Sequence, residues 1–337
     1  MNETELQGLI AKFDSCSVAV VGDLMLDRYI WGRASRISQE APVPVVRVDH
    51  ETVTPGGAAN VVRNLVTLGA KAVAFGIIGD DPHGVRLCDC LREVGADVSG
   101  IQKTSERHTT VKTRVLAGNQ QVVRIDQENT ACISDELGDE LTCRLKESIC
   151  NHSVQAVILQ DYAKGGLTRK LVQEVADLGR RHGLVVAMDP HPSNPFNVKG
   201  LRLLTPNRTE AFALAGVYYQ PGRPPLCEDK ALFEVGSRLL QEWDVELLLI
   251  TLGGDGMALF SVDAPPMHIP TRAREVFDVS GAGDTVTSAF VLALLAGGAP
   301  IAAAHIANHA AGIVVGKVGT ASVANDELSG EVHSYYA

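Results

Sequence analysis

The chain has 337 residues, of which 45% are hydrophobic and 21% are charged, and its formal net charge is −10. This composition is typical of a soluble globular protein, and the length suits either two domains or one large α/β unit. The acidic balance and the lack of a sustained Lys/Arg stripe argue against a nucleic-acid partner. A local cluster of cations could still bind a small phosphate.

The cysteines and the apolar segments indicate the compartment. Seven scattered cysteines include no C-x-x-C pair, which predicts free thiols in a reducing cytosol rather than disulfides or a zinc site. The N-terminus, MNETELQG, has no basic stretch followed by an apolar one, so no signal peptide is expected. The most apolar segment, residues 289–304, is interrupted by glycines and a proline and is shorter than the ~20 residues of a membrane helix. We expect a cytoplasmic protein without a membrane partner.

Short apolar runs alternate with helical patterns along most of the chain. The predicted strands are residues 17–21, 72–78, 155–159, 184–188 and 246–250, and the predicted helices are residues 60–68, 85–94, 135–149, 168–181 and 230–243. Such alternation is typical of βαβ units, and continuous apolar strands suit a sheet buried on both faces. The sequence therefore predicts an α/β fold with a doubly wound, mostly parallel sheet and helices on both faces.

Two segments, residues 43–48 and 109–125, instead alternate apolar and polar residues. This period of two predicts half-exposed antiparallel strands. They could be plain edge hairpins, or they could form a small sheet that covers a site or pairs with a second subunit. A Pro-rich stretch at residues 220–225 is predicted to be a surface loop rather than a domain boundary.

The strongest chemical signal is D-V-S-G-A-G-D-T at residues 278–285, which precedes an apolar helical run. Gly281, Ala282 and Gly283 are small enough for backbone N–H groups to approach a ligand, and a helix N-terminus attracts anions. Asp284 would stand beside that anion, where its carboxylate could accept a hydroxyl proton. Taken alone, the motif fits equally well a Gly-rich turn whose Asp stabilises the start of the helix.

Three further short elements accompany this motif. They are P-G-G-A-A-N at residues 55–60, N-R-T-E at residues 207–210 and T-L-G-G-D-G at residues 251–256. Taken singly, the first is a strand-to-helix turn and the second is a capped helix start. Together with D-V-S-G-A-G-D-T they closely resemble the signature elements of the ribokinase (PfkB) family of carbohydrate kinases. The elements occur in the family's order, and the resemblance spans essentially the whole chain.

The resemblance is closer still to the kinase part of the bacterial heptose-7-phosphate kinases. It is carried by G-D-L-M-L-D-R-Y at residues 22–29, S-R-I-S-Q-E-A-P-V-P-V at residues 35–45 and D-Y-A-K-G at residues 161–165. Many of those proteins continue into an adenylyltransferase domain, which nothing in this tail resembles, so we expect a stand-alone kinase. The resemblance implies a single ribokinase-like domain over residues 1–337, with a small β lid inserted at about 28–55 and 103–127.

The family resemblance also implies a role for each matched residue. Asp284 would be the catalytic base, and the anion hole for the transferred phosphoryl group would be Gly281, Ala282 and Gly283. The sugar hydroxyls would be bound by Asp23, Gly56, Gly57 and Asn60. The nucleotide site would comprise Asn207, Glu210, Thr251, Gly253, Gly256 and Asn308. Asn207 and Glu210 would also organise Mg²⁺, through water.

The implied reaction is phosphorylation of the anomeric hydroxyl of D-glycero-D-manno-heptose 7-phosphate by ATP with Mg²⁺, feeding ADP-heptose and lipopolysaccharide-core synthesis. The distal phosphate would be bound by Arg36, Lys112, Arg114 and Lys164, although each of these could instead be a solvated surface charge. Fructose phosphate, tagatose phosphate and ribose stay open as acceptors, and so does a non-catalytic sugar-binding regulator. We also expect a homodimer formed through the lid, because exposed strand edges tend to be covered.

Overall fold

A computed structural model describes residues 2–118, 120–151, 154–219, 229–273, 276–317 and 319–336. In these ranges the helices are α1 (Glu3–Ile10), α2 (Ala58–Thr67), α3 (Pro82–Glu93), α4 (Asp135–Cys150), α5 (Arg169–His182), α6 (Arg208–Leu214), α7 (Lys230–Trp243), α8 (Ala282–Leu295), α9 (Pro300–Val315) and α10 (Asn325–Tyr336). The strands are β1 (Ser17–Gly22), β2 (Leu24–Ile37), β3 (Pro44–Gly57), β4 (Lys71–Gly79), β5 (Asp97–Thr104), β6 (Thr110–Ala117), β7 (Gln120–Gln127), β8 (Ala156–Gln160), β9 (Val185–Asp189), β10 (Leu203–Leu204), β11 (Leu247–Thr251), β12 (Met257–Ser261) and β13 (Met267–Ile269). The Pro-rich stretch at 220–225 and Cys227 lie outside the described residues.

A large sheet forms the centre of the described chain. Its nine strands run in the order β13-β12-β11-β10-β9-β8-β1-β4-β5. The pairings from β11 through β10, β9, β8, β1 and β4 to β5 are parallel, whereas β12 is antiparallel to both of its neighbours. The prediction of an α/β fold with a mostly parallel sheet is confirmed.

Helices cover both faces of this sheet because its strands are apolar on both sides. Val18 and Val20 of β1 belong to one apolar core, while Ala19 and Val21 belong to the other. Successive side chains of a strand point to opposite faces, so this division follows directly from an uninterrupted apolar run. The first core also contains residues of α1, α2, α3, α8, α9 and α10, and the second contains residues of α4, α5, α6 and α7.

A smaller sheet, called the lid below, consists of β2, β3, β6 and β7 in the order β3-β2-β6-β7. Both segments with alternating polarity contribute to it. The prediction of antiparallel strands holds for β2–β3 and β6–β7, but β2 and β6 pair in parallel. The reason is that α2, β4, α3 and β5 lie between these two strands, so the chain crosses over and re-enters the lid in the same direction.

The lid differs in extent from the predicted segments. Residues 103 and 104 end β5 of the large sheet, and the second lid segment begins at Thr110. The first lid strand begins at Leu24, with only Asp23 between it and the end of β1. The lid is therefore directly connected to the large sheet through β1, the third strand from the β5 edge.

The apolar segment at 289–304 is divided between α8 and α9, both of which pack in the first core. Gly297 and Gly298 form the turn between these helices. Across the described ranges, no helix combines the length and the apolar character needed to span a membrane.

Candidate active site

Helix α8 begins within the motif that was predicted to carry the chemistry. Gly281 is its N-cap with φ of 79°, a left-handed conformation that favours glycine. A Cβ at this position would lie only 2.7 Å from Asn60 Nδ2. The Ala282 N–H donates to the Val279 carbonyl oxygen at 3.2 Å. This bond engages the Ala282 N–H within the turn, and an anion hole formed by Gly281, Ala282 and Gly283 stays a prediction.

The Asp284 carboxylate is almost completely buried in the first turn of α8. Asn60 Nδ2 donates to its Oδ2 at 2.6 Å, while the Tyr162 hydroxyl and Gln160 Nε2 donate to its Oδ1 at 2.9 and 3.1 Å. Burial raises the pKa of Asp284 to about 6, although the hydrogen bonds from Asn60 and Tyr162 oppose that effect. Such a carboxyl is ionised at neutral pH and can accept a proton, which suits a general base.

Asn60 is itself oriented by Arg63, a residue that sequence reasoning missed. One guanidinium nitrogen of Arg63 donates to Asn60 Oδ1 at 2.8 Å and to the Thr320 carbonyl oxygen at 2.6 Å, and another donates to the Thr54 hydroxyl. Because Arg63 has only donors, the amide oxygen of Asn60 must face it and the amide nitrogen must face the carboxylate. Arg63 thereby fixes the donor that binds the carboxylate of α8.

Asp23, which was predicted to bind the sugar, organises the loop after β8. Its carboxylate accepts backbone N–H groups from Tyr162 at 2.9 Å, Lys164 at 3.0 Å and Gly166 at 2.8 Å. Arg107 holds the same loop from the other side by donating to the Lys164 carbonyl oxygen at 2.5 Å. These bonds position the Tyr162 hydroxyl for its contact with the buried carboxylate. A direct contact between Asp23 and a sugar stays a prediction.

The Gly-Gly segment at the end of β3 lies against two aspartates. A Cβ at Gly56 would be 2.6 Å from Asp27 Oδ2, and a Cβ at Gly57 would be 2.6 Å from the Asp23 carbonyl oxygen. Asp27 is buried and forms an ion pair with Arg114, whose guanidinium lies 2.6 Å from Oδ1. Asp27 was not among the predicted site residues, because its partner is 87 positions away in sequence.

Three of the four predicted phosphate-binding cations lie close together where the lid meets the large sheet. Lys112 Nζ lies 5.5 Å from the centre of the Tyr162 ring, and Lys164 forms a 2.9 Å ion pair with Glu128. Burial lowers the pKa of Lys112, and the charges of Lys164 and Arg114 lower it further. The charges of Arg114 and Lys164 thus reach Lys112, and these three residues are called the cation cluster below.

Arg36 does not join the cation cluster within one chain. It is exposed near the outer end of β2, where it pairs with Val45 of β3. Nine residues separate it from Asp27, and at about 3.3 Å per residue this corresponds to roughly 30 Å along the strand. The predicted contact between Arg36 and the sugar phosphate therefore has no support in the geometry of a single chain.

A cavity of about 560 Å³ lies on the other side of the α8 N-terminus. The predicted site residues that line it are Asn207, Thr251, Gly253, Gly256, Ala282, Gly283 and Asn308. Val279, Val286 and Ala311 give its wall an apolar character. Asn308 fixes another part of the wall by donating from Nδ2 to the Pro270 carbonyl oxygen at 2.6 Å. A mostly apolar cleft with a few polar groups is typical of small-molecule sites.

The N-R-T-E element forms a capping box at the start of α6. Asn207 Oδ1 accepts the Glu210 N–H at 3.0 Å, and Glu210 Oε2 accepts the Asn207 N–H at 2.8 Å. Burial raises the pKa of Glu210. The pKa of Asp189, at the end of β9, is raised well above its usual value by burial and by the nearby charges of Glu210 and Asp284. The capping interpretation is confirmed, and the metal role stays a prediction.

Sequence comparisons identify the family and the relatives of this chain. The family described as "pfkB family carbohydrate kinase" matches residues 16–327. The "Bifunctional protein HldE" of Geobacter sulfurreducens is 41% identical over 334 residues, which cover 98% of this chain and 66% of that protein. HldE of Citrifermentans bemidjiense is 43% identical over 336 residues, with the same two coverages of 98% and 66%. The chain thus spans about two thirds of the length of these curated relatives, 66% in both cases.

Solved structures share the fold at much lower sequence identity. Escherichia coli phosphofructokinase-2, in complex with substrates and products, has a TM-score of 0.76 at 17% identity, over 95% of this chain and 99% of that one. Arabidopsis thaliana ribokinase, complexed with ribose and ATP, has a TM-score of 0.70 at 19% identity, over 94% of this chain and 98% of that one. These similarities confirm the ribokinase-like architecture. The sequence match to the family model and the identity to the curated relatives show that the chain belongs to the pfkB family of carbohydrate kinases.

Proposed function

We propose that the chain transfers the γ-phosphoryl group of ATP to the anomeric hydroxyl of D-glycero-D-manno-heptose 7-phosphate, giving heptose 1,7-bisphosphate and ADP. The observation that carries the proposal is the position of Asp284, at a helix start between a 560 Å³ cavity and the cation cluster. The motifs shared with the heptose-7-phosphate kinases favour a heptose as the acceptor. Its product would feed ADP-heptose and lipopolysaccharide-core synthesis in the cytoplasm.

The protein groups suit a transfer that depends on positioning and charge neutralisation. ATP would occupy the cavity with its terminal phosphate at the start of α8, where backbone N–H donors stabilise the charge of the transferred group. Asp284 would accept the proton of the sugar hydroxyl as the sugar oxygen attacks phosphorus. The cation cluster would bind the distal phosphate through charge-assisted hydrogen bonds.

Mg²⁺ fits the residues between β9 and α6. The charge of Glu210 contributes to the raised pKa of Asp189, and a divalent cation near both carboxylates would relieve their repulsion. In the part of the chain that the structure describes, no group of three or more His, Cys, Asp or Glu side chains could hold a metal. Asn207 and Glu210 would therefore hold the ion mainly through water, as is usual for Mg²⁺ with phosphates. The ion would neutralise phosphate charge.

The proposal includes a homodimer formed through the lid. Strand β7 lies at the edge of this sheet and is exposed along its length. Large apolar side chains of the lid are also exposed, including Ile37 at 62% and Ile125 at 56%. Exposed strand edges and apolar patches are surfaces that proteins tend to cover. A monomer in light scattering at working concentration would contradict this part of the proposal.

A phosphoryl-transfer assay over a panel of sugars tests the proposed reaction. ADP release would be measured with heptose 7-phosphate, fructose phosphate, tagatose phosphate, ribose and mannose, and ³¹P NMR would identify an anomeric phosphate in the product. We expect a strong preference for heptose 7-phosphate over mannose. Equal use of phosphorylated and plain sugars would show that the acceptor is a sugar other than heptose 7-phosphate. Sugar binding without ADP release would favour a non-catalytic sugar-binding regulator.

A further inference from the structure

The hydrogen bonds to Asp284 are divided unequally between its two oxygens. Oδ1 accepts from the Tyr162 hydroxyl at 2.9 Å and from Gln160 Nε2 at 3.1 Å, whereas Oδ2 accepts from Asn60 Nδ2 at 2.6 Å. Each carboxylate oxygen offers about two acceptor sites. Among the described residues, donors therefore fill both sites of Oδ1 but only one of the two sites of Oδ2.

Both groups on Oδ1 are fixed as donors. Gln160 is fully buried, and its Nε2 also donates to Asp189 Oδ2 at 2.7 Å, so its amide nitrogen is held between two carboxylates. Burial, together with the charges of Asp284 and Asp189, raises the pKa of Tyr162 well above its usual value. The phenol consequently keeps its proton at any pH at which the protein works.

Tyr162 is also held in place independently of Asp284. Its backbone N–H donates to Asp23 Oδ2 at 2.9 Å, and its ring lies 5.5 Å from the ammonium group of Lys112. The hydrogen bond to Asp23 restrains the backbone of Tyr162, and the contact with Lys112 restrains its ring. The hydroxyl is thus directed at Oδ1 before any ligand arrives.

We propose that Tyr162 is a positioning residue which, together with Gln160, occupies Oδ1 of Asp284 and so makes Oδ2 the atom that takes the proton from the sugar hydroxyl. This inference rests on the proposed function. In the step concerned, the sugar O–H bond breaks and an Oδ2–H bond forms. The sugar oxygen bonds to phosphorus, and the bond between that phosphorus and the oxygen of ADP breaks. Solvent receives the proton after the product leaves.

The other charged groups that face Asp284 lie on three different elements. Arg63 of α2 lowers the pKa of Asp284, Asp27 of β2 raises it, and the hydrogen bond from Tyr162 lowers it. Asp189 of β9 faces the carboxylate across Gln160. Tyr162→Phe removes one hydroxyl and leaves all of these charges in place, so it isolates the contact with Oδ1.

The first test is the pH dependence of kcat/KM in the Tyr162→Phe variant. A base must be ionised to act, so activity rises with pH through the pKa of Asp284, which burial raises to about 6. Loss of a hydrogen bond to the charged form should move this acid limb upward by about one pH unit. Tyr218→Phe, at a side chain that is 82% exposed, is the matched control and should not move it. An unshifted acid limb in Tyr162→Phe would overturn the inference.

A second measurement does not need turnover. The titration of the Asp284 carboxyl can be followed by ¹³C NMR, with its signal assigned by its loss in Asp284→Asn. A higher titration point in Tyr162→Phe supports the positioning role even if the sugar panel contradicts the proposed function. An unchanged titration point in an active enzyme contradicts the inference and leaves the function intact.

Two further observations address folding and the choice of oxygen. If Tyr162→Phe does not fold, the parent chain labelled with 3-fluorotyrosine replaces it, because the more acidic hydroxyl is a stronger donor and should lower the titration point of Asp284. No change with that label would contradict the role. A structure with bound sugar should place the acceptor hydroxyl on Oδ2. A hydroxyl on Oδ1 with Tyr162 displaced would overturn the assignment.

Discussion

The two sides of the α8 N-terminus present different surfaces. The cavity side is lined largely by glycines and small apolar residues, whereas the lid side contains hydrogen-bonded charged residues such as Asp27, Arg114 and Arg63. Backbone shape defines the first surface, and side chains brought together from distant parts of the chain define the second. Substitutions on the cavity side should therefore act by changing the backbone, whereas substitutions on the lid side should act by removing charges or hydrogen bonds.

Asp284→Asn, at the boundary between the two sides, should have the largest effect. Loss of a general base lowers the rate by about 10²–10⁴, while the cavity that would bind ATP contains no part of this carboxylate. We expect kcat to fall by that factor and ATP affinity, measured by calorimetry, to stay within about twofold of the parent. Near-normal turnover would reduce Asp284 to a residue that stabilises the helix start.

Lys112→Met tests the charged side. Its ammonium group is partly buried, lies by the Tyr162 ring and belongs to the cation cluster. Loss of one charge-assisted contact to phosphate should raise the KM for heptose 7-phosphate by roughly tenfold to a hundredfold, with little change in the KM for ATP. Arg36→Ala, at the exposed outer end of β2, should change neither value by more than about twofold. Equal losses in both variants would show that Arg36 reaches the sugar.

Gly256→Ala tests the side that is defined by backbone. Gly256 has φ of 92°, and a Cβ there would clash with the Ile269 carbonyl oxygen. The clash should lower the free energy of unfolding by about 1–3 kcal/mol and raise the KM for ATP about tenfold, because the loop must shift. Gly254→Ala is the stability control, since an added Cβ there meets nothing within 4 Å. Equal melting temperatures for the two variants would contradict the prediction.

Glu210→Gln should have the smallest effect and separates the two interpretations of N-R-T-E. Glutamine at this position can keep the capping box but removes the charge. We expect the Mg²⁺ concentration for half-maximal activity to rise several-fold, with the KM for the sugar unchanged, as expected for one lost electrostatic contact to a hydrated ion. Metal titrations that coincide with those of the parent would leave only the capping role.

The large sheet was predictable because its signal is local. The apolar run of β1 and the helical pattern of α7 each identify an element without knowledge of the rest of the chain, and α7 spans the predicted residues 230–243. Strand β5 was missed because D-V-S-G-I-Q-K-T at residues 97–104 mixes polar and apolar side chains. The parallel pairing of β2 with β6 depends on the crossover between them, which no local pattern contains.

The site residues, like the strands, divide into those with a local sequence signal and those without one. Residues in Gly-rich turns, such as Gly281 at the start of α8 and Gly256 just before β12, were found because they belong to short local motifs. Arg63 was missed because it acts through Asn60 on Asp284, which is 224 positions away from Asn60 in sequence. Tyr162 was missed because its partner, Asp284, is 122 positions away. An arginine in a helix or a tyrosine in a loop has no distinguishing pattern until the fold shows what it contacts.

The length of the first two lid strands has a mechanical consequence. β2 and β3 are each 14 residues long; β2 begins next to Asp23, and β3 ends at Gly57, three residues before Asn60, which donates to Asp284. At about 3.3 Å per residue they form a lever of roughly 40 Å, so a rotation of about 10° at its base would carry the tip some 7 Å. The same rotation would move Asp27, three residues from the pivot, by less than about 2 Å. Such a rotation would therefore move the outer end of the lid several times farther than the end next to Asp27.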